Sequence, residues 1–255
     1  MEKIENILSV FDNPSPSSRK VGRVVEIVRS ILFPGFFDAG DEGAYVLLPL
    51  LSEQIAVAFR FEGDDDSQAA SLAQTFVDYI PELRHRLALD VLAIYDGDPA
   101  ASSYGEIISC YPAVRAVSNY RMAHRLYELG VPLIPRIITE LAHSETGIDI
   151  HPGATIGDSF TIDHGTGIVI GETTIIGNHV KLYQGVTLGA RSFPLDDKGN
   201  PIKGIPRHPI LGNGVIVYSN ATILGRITIG DGAVIGGNIW VTEDVPAGAL
   251  ITQRR

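Results

Sequence analysis

Aliphatic residues recur at every sixth position through the second half of this 255-residue chain. Ile150, Ile156, Ile162 and Ile168 form one series; Ile170, Ile176, Leu182 and Leu188 form a second, two residues out of phase with the first. Leu211, Val217, Ile223, Ile229, Ile235 and Val241 then run six apart without a break. Glycine often follows the aliphatic position, as in "IGDSF", "IGNHV", "LGNGV" and "IGDGA". That period is the signature of a parallel β-helix built from hexapeptides. Each hexapeptide supplies a flat strand and a turn. Its aliphatic side chain points inward onto those of adjacent coils, and small residues beside it let the chain turn the corner. With three steps to a triangular coil, neighbouring coils lie about 4.8 Å apart.

The first half follows a different pattern. "SRKVGRVVEIVRSILFPGF" places Val24, Val25, Ile27, Val28, Ile31 and Leu32 at mostly helical spacing and is expected to end before Pro34. "SQAASLAQTFVDYIPELRHRLALDVLAIYDGDPAA" is an Ala/Leu-rich helix expected to be interrupted at Pro81, entered from the acidic loop "FEGDDDSQ". "YPAVRAVSNYRMAHRLYELG" opens on Pro112 and closes on Gly130, and "PLIPRIITELAHSETG" ends near Gly147. The expected organisation is therefore α+β: an α-helical domain over 1–146, then the β-helix over 147–255. Within the second part, "ARSFPLDDKGNPIKGIPRHPI" carries prolines and charges but no six-residue anchor, so an extended loop at about 190–209 must leave the coil.

Composition narrows the possible functions. The chain is 45% hydrophobic and 20% charged, with 30 Asp+Glu against 20 Lys+Arg, a net charge of −10. A nucleic-acid binder normally shows a basic stripe, so that class is excluded, and any phosphate-bearing ligand needs a locally basic pocket. The single cysteine, Cys110, in "IISCYPAV", reads as a buried structural thiol. "MEKIENILSVFDNPSPSS" lacks the basic start and apolar core of a secretory signal, and no run of about 18 apolar residues exists. A cytoplasmic protein with no membrane span is expected.

Several motifs stand in a fixed order: "DGDPAA", "NYRMAHRLYELG", "GIDIHPGATIG", "DHGTGIVIGET", "QGVTLG" and "RHP". Together they resemble the serine O-acetyltransferases of cysteine biosynthesis, over about residues 96 to 245. The hexapeptide period alone indicates only a broad acyltransferase scaffold; "DIHP", "DHGTG" and "RHP" are far more specific. The resemblance implies a left-handed β-helix, against the usual right-handed preference of parallel crossovers.

It also implies roles. His164 matches the general base that takes the proton from the L-serine hydroxyl as it attacks the thioester of acetyl-CoA, a task that suits an imidazole with a pKa near about 6.5. Asp149 matches the carboxylate that orients it. Their 15-residue separation is three short of a full coil, so contact has to come around a corner or across a subunit boundary. Arg207 and His208 match the clamp for the substrate carboxylate, and Asp163 and Asp98 the residues that receive its ammonium. Gly189 and Ala190 match the backbone donors near the thioester, although the family usually has a second glycine at the place of Ala190. Ser219 and Gly237 fall where the acetyl-CoA groove is expected, and Lys203, Arg226, Arg254 and Arg255 are candidates for its phosphates.

Blander readings stand beside these: a corner histidine bonded to a carbonyl for His164, a loop anchor for Arg207, an N-cap for Asp98. Register also stacks His164 under Gln184, Asp163 under Tyr183 and Glu172 roughly under Ala190, which suggests one polar edge where the loop departs. A zinc site of three histidines is not expected, because no third histidine follows His164 and His179 at ligand spacing. Alternatives are acetylation of homoserine or a sugar, or a non-catalytic scaffold. A triangular coil implies a homotrimer with sites shared between chains, and the resemblance implies that helical domains can pair such trimers into a dimer of trimers. The chain stops at "GALITQRR", without the family's extended tail, so no stable complex with cysteine synthase is expected.

Overall fold

The computed structural model describes residues 2–38 and 43–253. Seven helices precede the coil among them: α1 (Glu2–Phe11), α2 (Ser18–Leu32), α3 (Gly43–Glu62), α4 (Ala69–Gly97), α5 (Tyr104–Cys110), α6 (Pro112–Glu128) and α7 (Ile134–Thr146). Helix α2 starts where the Ser17 hydroxyl accepts from the Lys20 N–H and stops before Pro34, burying Val21, Val24, Val25, Val28 and Leu32. Helix α7 stops at Gly147, whose φ of 69° is the left-handed conformation a glycine supplies most readily.

The helical half differs from expectation in three respects. Helix α4 runs unbroken through Pro81, because Phe76 and Ile80 before the proline and Leu83 and Leu87 after it are all buried. Packing on both sides outweighs the cost of about 3 kcal/mol that a proline imposes inside a helix. Helices α1, α5 and α3, the last containing Pro49, have no counterpart in the sequence reading. Cys110 is exposed rather than buried: it ends the short α5, whose only buried side chain is Ile107.

Beyond Gly147 the chain winds as a left-handed parallel β-helix of strands two or three residues long. Its first face stacks the strands that begin at Asp149, Val169, Thr187, Thr222 and Trp240; the second, those at Thr155, Ile175, Ile210 and Thr228; the third, those at Thr161, Lys181, Ile216, Val234 and Leu250. The six-residue anchors fill the interior, with Ile150, Ile162, Leu182, Val217, Ile223 and Ile235 all 2% exposed or less. Ile150 pairs with Ile170, and Ile170 with Leu188. The phase slip is thereby explained: the first coil takes two extra residues at the corner between Asp163 and Ile168. Ile168 belongs to that corner rather than to a strand, its N–H donating to the Gly165 carbonyl at 3.0 Å. The loop leaves after Gly189 and rejoins at Ile210, as expected. Its tip is held by the Asp196 carboxylate, which accepts from the N–H groups of Lys198 and Asn200.

A polar seam joins helices to coil. Arg121 of α6 donates to Asp90 of α4 at 2.6 and 2.8 Å and to the Gly157 carbonyl at 2.8 Å, while Asp90 accepts from the Phe160 N–H at 3.0 Å. Both side chains are buried. Burial pushes the Asp90 carboxyl up and Arg121 opposes that shift, so each charge depends on the other. The Tyr120 hydroxyl donates to the Ala154 carbonyl and accepts from the Ile156 N–H. The first coil is thus bolted to α4 and α6, which fixes where the C-terminal end of α4 meets the third face. Among the described residues no helix is long and apolar enough to cross a membrane.

Candidate active site

His164 sits in the two-residue insertion, at the corner between the third and first faces. Its φ is 57°, and Gly165 and Gly167 follow with φ of 98° and 82°. A side chain in this conformation stands off the coil, and that of His164 is 75% exposed, with Nε2 3.7 Å from Asp163 Oδ1. Asp163 is the last residue of its strand and pairs in register with Tyr183. The Lys181 ammonium lies 3.4 Å from Asp163 Oδ2, donates to the Gly97 carbonyl at 2.8 Å and packs 4.8 Å from the Tyr183 ring centroid. Burial alone would lower the Lys181 pKa; Tyr183 and Asp163 outweigh it and hold the ammonium above its usual value.

The seam brings Asp98 to the same place. It caps the C-terminus of α4 instead of opening a helix, and its carboxylate accepts from the Tyr111 hydroxyl at 2.7 Å and the Ala100 N–H at 2.8 Å. These two bonds, with Lys181 and His164 adding attraction, hold the Asp98 carboxyl below the usual range, while Tyr111 is raised to about 12. Asp98, Asp163 and His164 therefore gather on one edge. Further along this edge the Asn220 N–H donates to the Gln184 carbonyl, and a Cβ on Gly237 would lie 3.1 Å from the Ser219 carbonyl. Gln184, Ser219 and Gly237 thus stack in the column that begins at His164.

Arg207 and His208 lie elsewhere, at the corner between the first and second faces. Arg207 Nη2 pairs with Glu172 at 2.7 Å. Thr173 ties the returning loop down: its hydroxyl oxygen accepts from the N–H groups of Arg207 (2.9 Å) and His208 (3.1 Å). Its own N–H donates to His208 Nδ1 at 3.0 Å, and its hydroxyl lies 2.9 Å from the same nitrogen. The His208 ring is 7% exposed and packs on Gly171, where an added Cβ would lie 2.2 Å from Nε2. Burial, with Arg207 pushing the same way, lowers the His208 pKa to about 4, so this imidazole is neutral and accepts at Nδ1. Arg226 donates to the carbonyls of Thr173 (2.6 Å) and His208 (3.1 Å) and so fastens this corner.

The stacking of His164 on Gln184, Asp163 on Tyr183 and Glu172 near Ala190 holds, but the single polar edge does not. A strand of the first face, Val169–Ile170, separates His164 from Glu172, and in one chain the base and the clamp occupy different corners. Asp149 stands on the strand preceding that one, half-buried and facing away from the core. Its ionic neighbour is Arg136 at 3.8 Å; Asp149 and His164 form no ion pair within the chain. Glu140, His143 and Asp149 are the one grouping among the described residues with metal-ligand spacing. Arg136 pairs with Glu140 as well, so a fixed cation already serves these carboxylates.

Gly189 ends its strand and accepts from the Gly225 N–H, whereas the Ala190 N–H takes part in no backbone hydrogen bond outside the strands. Lys203 is exposed on the loop, and Arg254 and Arg255 lie outside the described residues. Sequence reasoning missed Lys181, Tyr111 and Thr173. Only the charged residue of "KLY", at a position where neighbouring coils carry Thr161 and Ile216, hinted at the first.

A left-handed hexapeptide β-helix with an exposed histidine–aspartate corner defines the class of hexapeptide-repeat acyltransferases. No family model matches the chain. It is 48% identical over 272 aligned residues to the plasmid serine acetyltransferase of Synechococcus elongatus, covering 97% of this chain and 85% of that one. Serine acetyltransferase 1 of Entamoeba histolytica in complex with L-cysteine superposes with a TM-score of 0.82 at 36% identity, covering 91% of this chain and 86% of that one. The Neisseria gonorrhoeae serine acetyltransferase in complex with serine gives 0.64 at 27% identity, over 92% and 95%. The chain belongs to the serine acetyltransferase family.

Proposed function

We propose that the chain transfers the acetyl group of acetyl-CoA to the hydroxyl of L-serine, giving O-acetylserine and free coenzyme A, with His164 as the base. One observation carries the residue assignment: an exposed imidazole beside two carboxylates, Asp163 and Asp98, at a corner the coil lengthens by two residues to build. An amino acid presents an ammonium and a carboxylate, and the two carboxylates suit the former. His164 takes the proton from the serine hydroxyl as its oxygen attacks the thioester carbonyl. The Ala190 N–H stabilises the resulting oxyanion. As the C–S bond breaks, His164 returns its proton to the departing sulfur.

The clamp needs a second copy. Arg207 suits a bidentate grip on the substrate carboxylate, and it reaches a neighbour's His164 if three chains pack their coils side by side. Asp149, turned outward without an imidazole partner in its own chain, fits the same arrangement. The reading is therefore a cytoplasmic homotrimer, or a pair of such trimers, with a helical unit over 1–146 and a catalytic coil over 147–255. The column from Gln184 through the small residues Ser219 and Gly237 supports a path for the acetyl-CoA arm. The test is thiol release from acetyl-CoA with serine, homoserine and a galactoside offered in turn. Serine-dependent release is expected; release with homoserine or the galactoside alone, or none at all, overturns the reading.

A further inference from the structure

The helical half bears an open cleft of about 510 Å³ between α2, α3, α6 and α7, and no residue of the coil lines it. Arg19, Lys20, Arg23, Arg29 and Arg115 line it against two acids, Glu26 and Glu145, in a chain whose net charge is −10. Part of that positive charge is matched: Lys20 pairs with Glu53 at 2.7 Å, Arg23 with Glu26 at 3.4 Å, and Arg115 with Glu145.

Arg29 differs from the rest. It is 6% exposed, and its Nη2 donates to Asn119 Oδ1 at 2.7 Å. Its guanidinium lies 5.6 Å from the Phe37 ring centroid, and its Nε has no acceptor. No carboxylate forms an ion pair with it among the described residues. Burial, with Arg115 adding repulsion, lowers its pKa to about 10, and it still carries its charge at neutral pH. A desolvated cation that Glu145 and Glu26 attract only from a distance, with no carboxylate in direct contact, is destabilising, and a fixed guanidinium fork with a spare N–H matches a planar or tetrahedral oxyanion. Asn119 holds the fork in place, since its Nδ2 donates to the Ile138 carbonyl at 3.0 Å.

We propose that this cleft is a second ligand site, separate from the catalytic corner, that binds a small molecule through a carboxylate or phosphate group seated on Arg29. A second cleft of about 410 Å³ shares Arg29, Arg115 and Glu145 with the first, so a ligand larger than a single ion has room behind the anionic group. The site does not rest on the acetyl-transfer reading.

Thermal unfolding of the full chain, titrated with inorganic phosphate or with citrate at constant ionic strength, tests it. The variants are Arg29→Met and, at the exposed rim, Arg19→Ala. Wild type is expected to show a rise in Tm with at least one probe that sets in near Kd and then grows with the logarithm of concentration. Arg29→Met loses the rise, and Arg19→Ala weakens apparent binding several-fold. Whichever probe acts identifies the head group. The proposal is overturned by no shift of that logarithmic form with either probe, or by equal shifts in wild type and both variants. If Arg29→Met does not fold, an unchanged response in Arg19→Ala overturns it.

Discussion

Two corners of one coil carry the histidines singled out for the site, and they are built in opposite ways. At the His164 corner the imidazole is 75% exposed, and its neighbours Asp98 and Asp163 are held by a tyrosine, a lysine and a backbone N–H. At the His208 corner the imidazole is 7% exposed and the main polar groups are engaged: Thr173 bonds both Arg207 and His208, Glu172 takes the guanidinium, and Arg226 closes the back. The first corner leaves its hydrogen-bonding capacity to a ligand. The second uses its capacity to anchor the returning loop, and any substrate must displace Glu172 from Arg207. Substitutions at the first should therefore separate activity from stability, and at the second they should couple the two.

The largest expected effect is at His164. His164→Asn keeps a residue that tolerates the left-handed backbone, φ 57°, so strain is not added. Serine-dependent thiol release is expected to fall by about 10²–10⁴-fold, the usual contribution of a general base. The Tm should stay within about 1 °C of wild type, since so exposed a side chain contributes little packing. A large fall in Tm would mean that this corner, too, is structural.

Mixed trimers then test whether the two corners face each other across chains. His164→Asn and Arg207→Ala chains, each weak alone at low serine, are unfolded together, refolded at equal ratio and assayed. A site drawing its base from one copy and its clamp from the next regains about a quarter of wild-type sites. A site within one chain regains none.

What the sequence made legible follows from range. The hexapeptide period could be read because each anchor meets counterparts one coil away, Ile150 on Ile170 and Ile170 on Leu188, so the pattern repeats wherever the packing does. The two-residue slip was visible too, though not that it builds the corner of His164. Pro81 misled because its cost is local while the burial of Phe76, Ile80, Leu83 and Leu87 that overrides it is tertiary. Lys181 and Asp98 are 83 positions apart, and Lys181 is tied to the end of α4 at the Gly97 carbonyl; no local pattern encodes that. The separation of base and clamp was hidden for a related reason. Stacking register says which residues share a column, but the width of a face sets how far apart two columns stand.

At Arg207 the expected effect is smaller. Arg207→Lys keeps the charge but loses the bidentate fork, and a charge-assisted hydrogen bond is worth about 1.5–3 kcal/mol. A fall of about 10–100-fold in kcat/KM for serine follows, carried mainly by KM. The KM for acetyl-CoA should hardly move; a matching rise there would place Arg207 on the acetyl donor instead.

The smallest effect, and the one that most sharpens the contrast, is a pH dependence of stability. His208 titrates near 6.5 in the unfolded chain and at about 4 in the folded one, because burial and Arg207 disfavour its cation. The unfolded state therefore binds the extra proton first as pH falls. The stabilisation is fully present above about pH 6.5 and is lost progressively as pH drops toward about 4. His208→Asn offers an amide oxygen near the place of Nδ1 for the Thr173 N–H, yet has no proton to gain. Its Tm at pH 7.5 should lie a few degrees below wild type, and the gap should narrow as pH falls from 6.5 to 4.5. His164→Asn, measured beside it, should run parallel to wild type, since a side chain 75% exposed leaves little packing to lose on unfolding. If the two variants show the same pH profile, the buried corner is not the titrating one, and the division between a corner kept open for ligand and a corner closed for stability fails.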